Sequence, residues 1–232
     1  NIVAAHSPLA SDAAVRLALT GNLITSTQVA DITRRMAGQP DRDEVDLLAE
    51  IARLQPDHAQ RLRRRLVAQR AARTFSAERG EFVVKDQATL PIVAGTALDI
   101  RTVVYLGAKS NLSEQRLSTE LAQMGVWFQI KQDALADLAL FGFTDAEKPI
   151  LKLLIEGANV SEIEALHADL GPRAIHSVTY SLAACNACDR SITPRPPRAH
   201  TPSGPPAQRP GTAPTRASTP NMTARPGTAS PP

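Results

Sequence analysis

The stretch from residue 141 to 185 constrains the fold most, because it carries signals for three short helices in succession. Thr144 and Glu147 have the spacing of a capping box, and apolar residues then recur at helical spacing until Gly157. Pro149 lacks a backbone N–H and makes the first helical turn irregular. The apolar positions of this predicted helix are Ile150, Leu151, Leu154 and Ile155.

The second and third helices of this stretch have their own start and stop signals. Ser161 and Glu164 repeat the capping-box spacing. The pair Gly171-Pro172 ends the second helix and places a proline at the first position of the third. This pattern predicts a winged-helix-like unit of three helices, with its last helix buried through Ile175, Val178, Leu182 and Cys185.

The first third of the chain also shows helical periodicity. A helix over residues 11–20, capped by Ser11, and a second one that ends at Gly38 form a predicted helix hairpin. Two further helices follow, over about 45–54 and from Pro56 to about Arg73.

Two segments have the composition of β-strands. Residues 80–85 are the clearest strand candidate, and residues 126–130 are the second. Two helices lie between them, the first capped by Thr96 with Asp99 and the second apolar at Leu117, Leu121 and Met124. The first of these is expected to bury Leu98, Ile100, Val103, Val104 and Leu106.

These elements predict an α+β fold in which helices dominate. We assign residues 1–75 to an N-terminal helical part and residues 76–188 to an α+β part of the same domain. Residues 189–232 are assigned to a disordered linker. The core is expected to depend on Trp127, Phe128, Leu154 and Leu182.

The predicted linker differs from the rest of the chain in composition. From residue 190 onward it holds 12 of the 18 prolines, six arginines and no acidic residue. The sequence Arg-Pro-Gly-Thr-Ala occurs at 209–213 and again at 225–229. Such a segment buries too little apolar area to offset its chain entropy. Its Thr-Pro pairs at 193, 201 and 219 are candidate phosphorylation sites, although an inert spacer is the simpler interpretation.

Composition excludes several classes of protein. The chain is 43% hydrophobic, and no run approaches 18 apolar residues, so we expect no membrane span and a cytoplasmic location. Residues 1–189 hold 20 basic and 23 acidic residues, which gives them a net charge of −3. A mildly acidic folded part gives no electrostatic reason to expect nucleic acid as a partner. The first residue is Asn1, and both termini suggest a fragment of a longer protein.

The familiar catalytic motifs are missing from the sequence. It contains no Gly-rich phosphate loop, no Gly-x-Ser-x-Gly and no His-Glu-x-x-His, so we expect no enzyme and no catalytic, cofactor or metal residues. Cys185 and Cys188 form half of a zinc-type motif without a second pair. His167 and His176 are able to approach each other across two helices, but surface roles are the simpler expectation.

Three local features keep other functions open. The helix that starts at Pro56 carries a basic face, although acidic residues of the preceding helix can neutralise it. The three helices after residue 144 permit a helix-turn-helix interpretation, in which the third helix has only Arg173 as a positive charge. Trp127 is expected to be a core residue rather than a ligand-stacking one. The basic face consists of Arg61, Arg63, Arg64, Arg65, Arg70 and Arg73.

Three short motifs lie within about residues 1–188. They are Asn1-Ile2-Val3-Ala4-Ala5-His6-Ser7, Gly21-Asn22-Leu23-Ile24-Thr25 with Gln28, and the segment from Phe141-Gly142-Phe143-Thr144 to Tyr180. Together they resemble the PATAN domain family of bacterial signalling proteins. The family's first strands are missing, and Cys185 to Cys188 replaces its usual glycine after the last helix. The helix hairpin also resembles the N-terminal domain of secretion and pilus ATPases that bind cyclic di-GMP, but only Arg16-Leu17-Ala18 remains of that motif.

The resemblance implies a non-catalytic protein-interaction module, joined by a Pro- and Thr-rich linker to a receiver, a J-domain or another signalling unit. Its expected partner is a signalling, pilus or motility protein. A cyclic-dinucleotide sensor that uses residues 11–73 and their arginines is the first alternative. A DNA-binding transcriptional regulator is the second.

Overall fold

A computed structural model describes residues 1–39, 42–87, 90, 92–93 and 95–195. Most of the predicted linker, residues 196–232, lies outside these ranges. The described residues belong to one compact unit. Within them, no helix combines the length and the apolar character that crossing a membrane requires.

The described part of the chain is predominantly helical and contains a small three-stranded sheet, as predicted. The helices are α1 (Ala14–Thr20), α2 (Ser26–Ala37), α3 (Glu44–Ala52), α4 (Pro56–Arg73), α5 (Ile100–Ser110), α6 (Glu114–Met124), α7 (Lys148–Glu156), α8 (Val160–Leu166) and α9 (Pro172–Ala184). The strands are β1 (Trp127–Ile130), β2 (Ala158–Asn159) and β3 (Cys188–Ser191).

The sheet is antiparallel and has the order β2-β1-β3. Its central strand β1 confirms the predicted strand at 126–130 and precedes the three C-terminal helices in the chain. The edge strand β3 pairs Cys188 with Ile130 and Ser191 with Trp127. Three residues of β3 therefore fall inside the range that the sequence assigned to the linker.

The other predicted strand is wrong. Residues 80–85 form no strand, and the side chains of Phe82, Val83 and Val84 are 89%, 79% and 85% exposed. A strand forms only where its backbone N–H and C=O groups find partners on a neighbouring strand. No described strand lies beside this segment, so its β-propensity is not realised here.

The capping box of Thr144 and Glu147 is confirmed, but it caps a single 3₁₀ turn at Asp145–Glu147 that leads into α7. Pro149 lies at the start of α7, where a proline removes no intrahelical hydrogen bond. Gly157 ends the helix with φ 91°. An added Cβ at Gly157 would lie 2.6 Å from Trp127 Cζ2. The end of α7 is therefore able to lie this close to strand β1 because residue 157 is a glycine.

Three predicted caps and one predicted core residue are wrong. Helix α8 starts at Val160, which places Ser161 inside its first turn, because Asn159 still pairs with Trp127 in the sheet. Residues 10–12 form a 3₁₀ turn before α1, so Ser11 does not cap that helix. Asp99 alone caps α5, and the Thr96 hydroxyl instead lies 2.7 Å from the Val3 carbonyl oxygen. The side chain of Ile100 is 51% exposed.

Two hydrophobic cores organise the fold. Helices α1 to α4 enclose the first core, which includes Leu17, Ile32 and Leu48. Helices α5 to α9 and the sheet enclose the second, larger core. Helix α4 packs on α5, and a small cluster with Val67 and Leu98 lies between the two cores. All four residues predicted to be central are buried: Trp127, Phe128, Leu154 and Leu182.

Candidate interaction surfaces

Ion pairs occupy some of the arginines on the basic face of α4. The Arg63 guanidinium donates to Asp43 Oδ1 and Asp46 Oδ1 at 2.7 Å each, and Arg70 pairs with Glu44. These acids lie at the start of α3, which confirms the predicted neutralisation by the preceding helix. Arg63 and Arg70 therefore hold α3 against α4 and are not free to contact phosphates.

This ion-pair cluster is electrostatically stable. Burial acts to raise the pKa of Asp43, but the Asp46 amide and the Arg63 guanidinium outweigh burial and hold that pKa below its usual value. Both charges consequently persist at neutral pH. A cleft of about 600 Å³ lies between this cluster and the N-terminal segment, and its lining is of mixed charge. Such a lining does not select an anion or a cation.

A second, smaller cleft is purely basic and apolar. His58, Arg61 and Arg65 line it together with leucines of α1 and α4, in a volume of about 280 Å³. No carboxylate in the described part of the chain pairs with Arg61 or Arg65. Two free guanidiniums beside an apolar floor are chemically suited to a phosphate group attached to a flat base.

A predominantly apolar groove of about 720 Å³ lies between α1 and α2. Helix α1 has 7 residues and α2 has 12, so at about 1.5 Å per residue α2 is much the longer. At the C-terminal end of α2, Met36 and Ala37 share the groove with Ala10 and Ala13, which precede α1. The groove is lined mainly by Ala13, Val15, Leu19, Val29, Met36 and Ala37.

Among the described residues, the unpaired charges near this groove are positive. Arg16 lines the groove, and its side chain is exposed. Arg35 on α2 is paired with Asp31 at 3.0 Å. Arg34, also on α2, has no ion-pair partner among the described residues. An apolar groove beside unpaired arginines favours an apolar ligand that carries negative charge.

The two cysteines are free thiols in an environment that disfavours the thiolate. Cys185 follows the last residue of α9, and Cys188 begins β3. Burial raises the pKa of the Cys185 thiol, and it raises that of Cys188 to about 12. A helix C-terminus also disfavours a thiolate. Among the described residues no group of three or more His, Cys, Asp and Glu side chains is able to hold a metal ion.

The histidines and the tryptophan have local partners. His176 Nε2 lies 2.8 Å from Glu164 Oε1, so this ring pairs with a carboxylate of α8 rather than with His167. Trp127 is buried, and the Arg195 guanidinium lies 3.9 Å from the centre of its ring. Its stacking face is therefore already occupied, which agrees with the predicted core role.

Helix α9 is unsuited to reading DNA. Eight of its 13 residues are buried, whereas a recognition helix exposes its side chains to the major groove. The guanidinium of Arg173 is also occupied, because it donates to the carbonyl oxygens of Lys109 and Leu112. The three helices act as packing elements around the second core.

Sequence reasoning missed the groove between α1 and α2, and it named Arg61 and Arg65 without showing that they line a common cleft. Both depend on how two helices are placed relative to each other, and periodicity within one helix carries no such signal. The unequal helix lengths, bounded by Gly21 and Gly38, were the one available clue.

Comparison of the chain with models of protein families, with curated proteins and with solved structures found no match.

Proposed function

We propose that the chain is a non-catalytic interaction module that binds a helix of a partner protein in the groove between α1 and α2. The observation that carries the proposal is the apolar groove itself, which residues 10–20 line on one side and residues of α2 on the other. The PATAN-like motifs at residues 21–28 and 141–144 support a signalling context. We extend this to a cytoplasmic bacterial regulator that a linker joins to a second signalling unit.

An amphipathic helix is the occupant that this groove fits best. Helix-in-groove recognition places apolar side chains spaced three and four residues apart into a cleft between two helices. Ala13 and Ala37 leave room for such side chains, and the flexible thioether of Met36 can adapt to them. Arg16 and Arg34 favour a partner helix with acidic residues beside its apolar stripe.

A display selection with helix-forming peptides tests the proposal. We expect selection on this protein to enrich amphipathic peptides with acidic flanks that bind with roughly micromolar dissociation constants. Thr33→Glu should weaken the binding of such peptides at least tenfold, because it places a carboxylate among the apolar groove walls. Fluorescence anisotropy with a labelled peptide measures the change.

Ala30→Glu is the matched control, since Ala30 is exposed on the same helix and does not line the groove. It should leave the peptide affinity within about twofold. Selection of no acidic amphipathic peptide, or binding equally sensitive to both variants, would contradict the proposal.

The basic cleft supports a second candidate function, the sensing of a cyclic dinucleotide. Arg61 and Arg65 lack carboxylate partners within the described residues and lie beside apolar side chains. We expect calorimetric titration with cyclic di-GMP to distinguish the two functions. Saturable micromolar binding that Arg65→Ala removes and Arg64→Ala leaves intact would favour the sensor, because only Arg65 lines the cleft. If the titration shows no heat change, the interaction module remains the single candidate function.

The winged-helix-like description of α7 to α9 belongs to the same proposal. Three helices followed by an edge strand support it, whereas the central strand β1 comes from before the helices rather than from a hairpin after them. We propose that this unit is a scaffold for the helical part.

A further inference from the structure

The segment 79–87 has the composition of a β-strand but pairs with no strand among the described residues. It connects α4 to the region before α5, and its side chains are exposed throughout. Its start is fixed, because Arg116 Nη1 donates to the Ala77 carbonyl oxygen at 2.9 Å. No backbone hydrogen bond joins residues 80–87 to any other residue that the structure describes. A row of free N–H and C=O groups beside exposed apolar side chains is a template for pairing with another strand.

The sequence of this segment is complementary to itself in the antiparallel direction. When two copies pair about a two-fold axis at Val83, Glu81 lies opposite Lys85 of the other copy, and Phe82 lies opposite Val84. The ion pair between Glu81 and Lys85 therefore occurs twice by symmetry, and opposite charges directly across a strand pair stabilise it.

The same register sorts the central side chains by polarity, with Val83 as the apolar exception on the charged face and Asp86 as the charged exception at the end of the apolar face. Successive residues of a strand point to opposite faces, so Phe82 and Val84 of both copies share one face. Glu81 and Lys85 share the other face with Val83. This alternation is typical of an antiparallel pair with one covered and one solvated face.

We propose that residues 79–87 form an antiparallel strand with the same segment of a second copy of this chain, and that a homodimer results. The competing parallel register places Glu81 against Glu81 and Lys85 against Lys85, which like-charge repulsion disfavours. A strand pair alone is a small interface. The dimer is therefore a weak and reversible one.

Charge exchange at the two positions tests the pairing. We expect sedimentation equilibrium of the full chain to show a concentration-dependent dimer. Glu81→Lys alone and Lys85→Glu alone should each weaken it about tenfold or more, because each puts like charges opposite one another. An equimolar mixture of the two variants should form a heterodimer, since every pair in it is again opposite in charge. The double variant should dimerise as the natural sequence does.

Glu156→Lys is the control for a general charge effect, because Glu156 is exposed at the end of α7, far along the chain from the segment. It should leave the dimer constant unchanged. Both test positions are exposed, so circular dichroism should show an unaltered fold in every variant. A chain that stays monomeric up to roughly millimolar concentration overturns the proposal. So does a mixture of variants that is no more dimeric than its components.

Discussion

Replacing Leu154 with alanine is expected to lower the free energy of unfolding by roughly 2–5 kcal/mol. Leu154 lies on α7 and is 1% exposed, in the core that α5 to α9 share with the sheet. Removing three carbon atoms there loses their transfer free energy and leaves a cavity that the surroundings fill only in part. Denaturant unfolding followed by circular dichroism measures the loss.

Ile155→Ala is the matched control for this substitution. Ile155 is the next residue on the same helix and is 37% exposed, so it loses less contact on truncation. We expect a loss of about 1 kcal/mol or less. Equal losses at the two positions, or a loss below about half a kilocalorie at Leu154, would show that α7 does not pack through this face.

Helix positions and core residues were predictable wherever the signal is local. Helix α4 runs from Pro56 to Arg73, as the proline and the periodicity indicate. The burial of Ile175, Val178 and Leu182 follows from spacing, because one face of a helix must meet the core at every third or fourth residue. Leu154 and Leu182 were identified for that reason. Five further residues of α9 between Ser177 and Ala183 are buried without a signal in the spacing, because α5, α6 and α8 pack around this helix.

Failures arose where a residue's role depends on distant parts of the chain. The run Phe82-Val83-Val84 has strong strand propensity, but a strand needs a partner, and none of the described residues supplies one. Thr96 has the spacing of a cap, yet its hydroxyl donates to the carbonyl oxygen of Val3, which is 93 residues earlier in the sequence. Propensity describes neither of these contacts.

Of the candidate site, only the ion pairs between α3 and α4 could be predicted from the sequence. The order of charges already indicated that acids on α3 neutralise arginines on α4, and Arg63 and Arg70 confirm it. Which arginines remain free depends on the angle between the helices. The groove beside α2 depends on the length of a neighbour, so it became visible only in the folded structure.

Glu147 supplies the second large effect, because one buried carboxylate joins two elements of the fold. Its side chain is 4% exposed. Glu147 Oε1 accepts hydrogen bonds from Tyr105 at 2.6 Å and from Lys109 at 2.7 Å. Glu147 Oε2 accepts from the backbone N–H of Thr144 at 2.7 Å and also from the Thr144 hydroxyl. Helix α5 is thereby fastened to the turn that precedes α7.

Glu147→Gln is expected to cost roughly 2–4 kcal/mol at neutral pH. The amide keeps the shape of the side chain but loses the charge that faces Lys109. The amide also has one acceptor oxygen instead of two, so its NH₂ group must face either Thr144 or the pair Tyr105 and Lys109, and the donors on that side lose their acceptor. The exposed capping box of Thr25 and Gln28 is the control, where Gln28→Ala should cost about 1 kcal/mol or less.

The pH dependence of this loss identifies its cause. Burial acts to raise the pKa of Glu147, but hydrogen bonds from Lys109, Thr144 and Tyr105 outweigh it and lower the pKa from 4.5 to about 2. A carboxyl with a lowered folded-state pKa stabilises the protein fully above its unfolded value of 4.5, and this contribution disappears as the pH falls towards 2. The natural protein should therefore lose about 2–3 kcal/mol over that interval that the Gln variant does not lose.

Denaturant unfolding of both proteins between pH 6 and pH 2 tests the assignment. We expect the difference in unfolding free energy to be constant above about pH 5 and to shrink steadily below it, because the lost stability belongs to one ionised carboxylate. The Gln28→Ala control should show a small difference that does not change with pH. A Glu147→Gln difference that is equally large at pH 6 and pH 2 would mean that packing, and not the charge of Glu147, holds α5 to the start of α7.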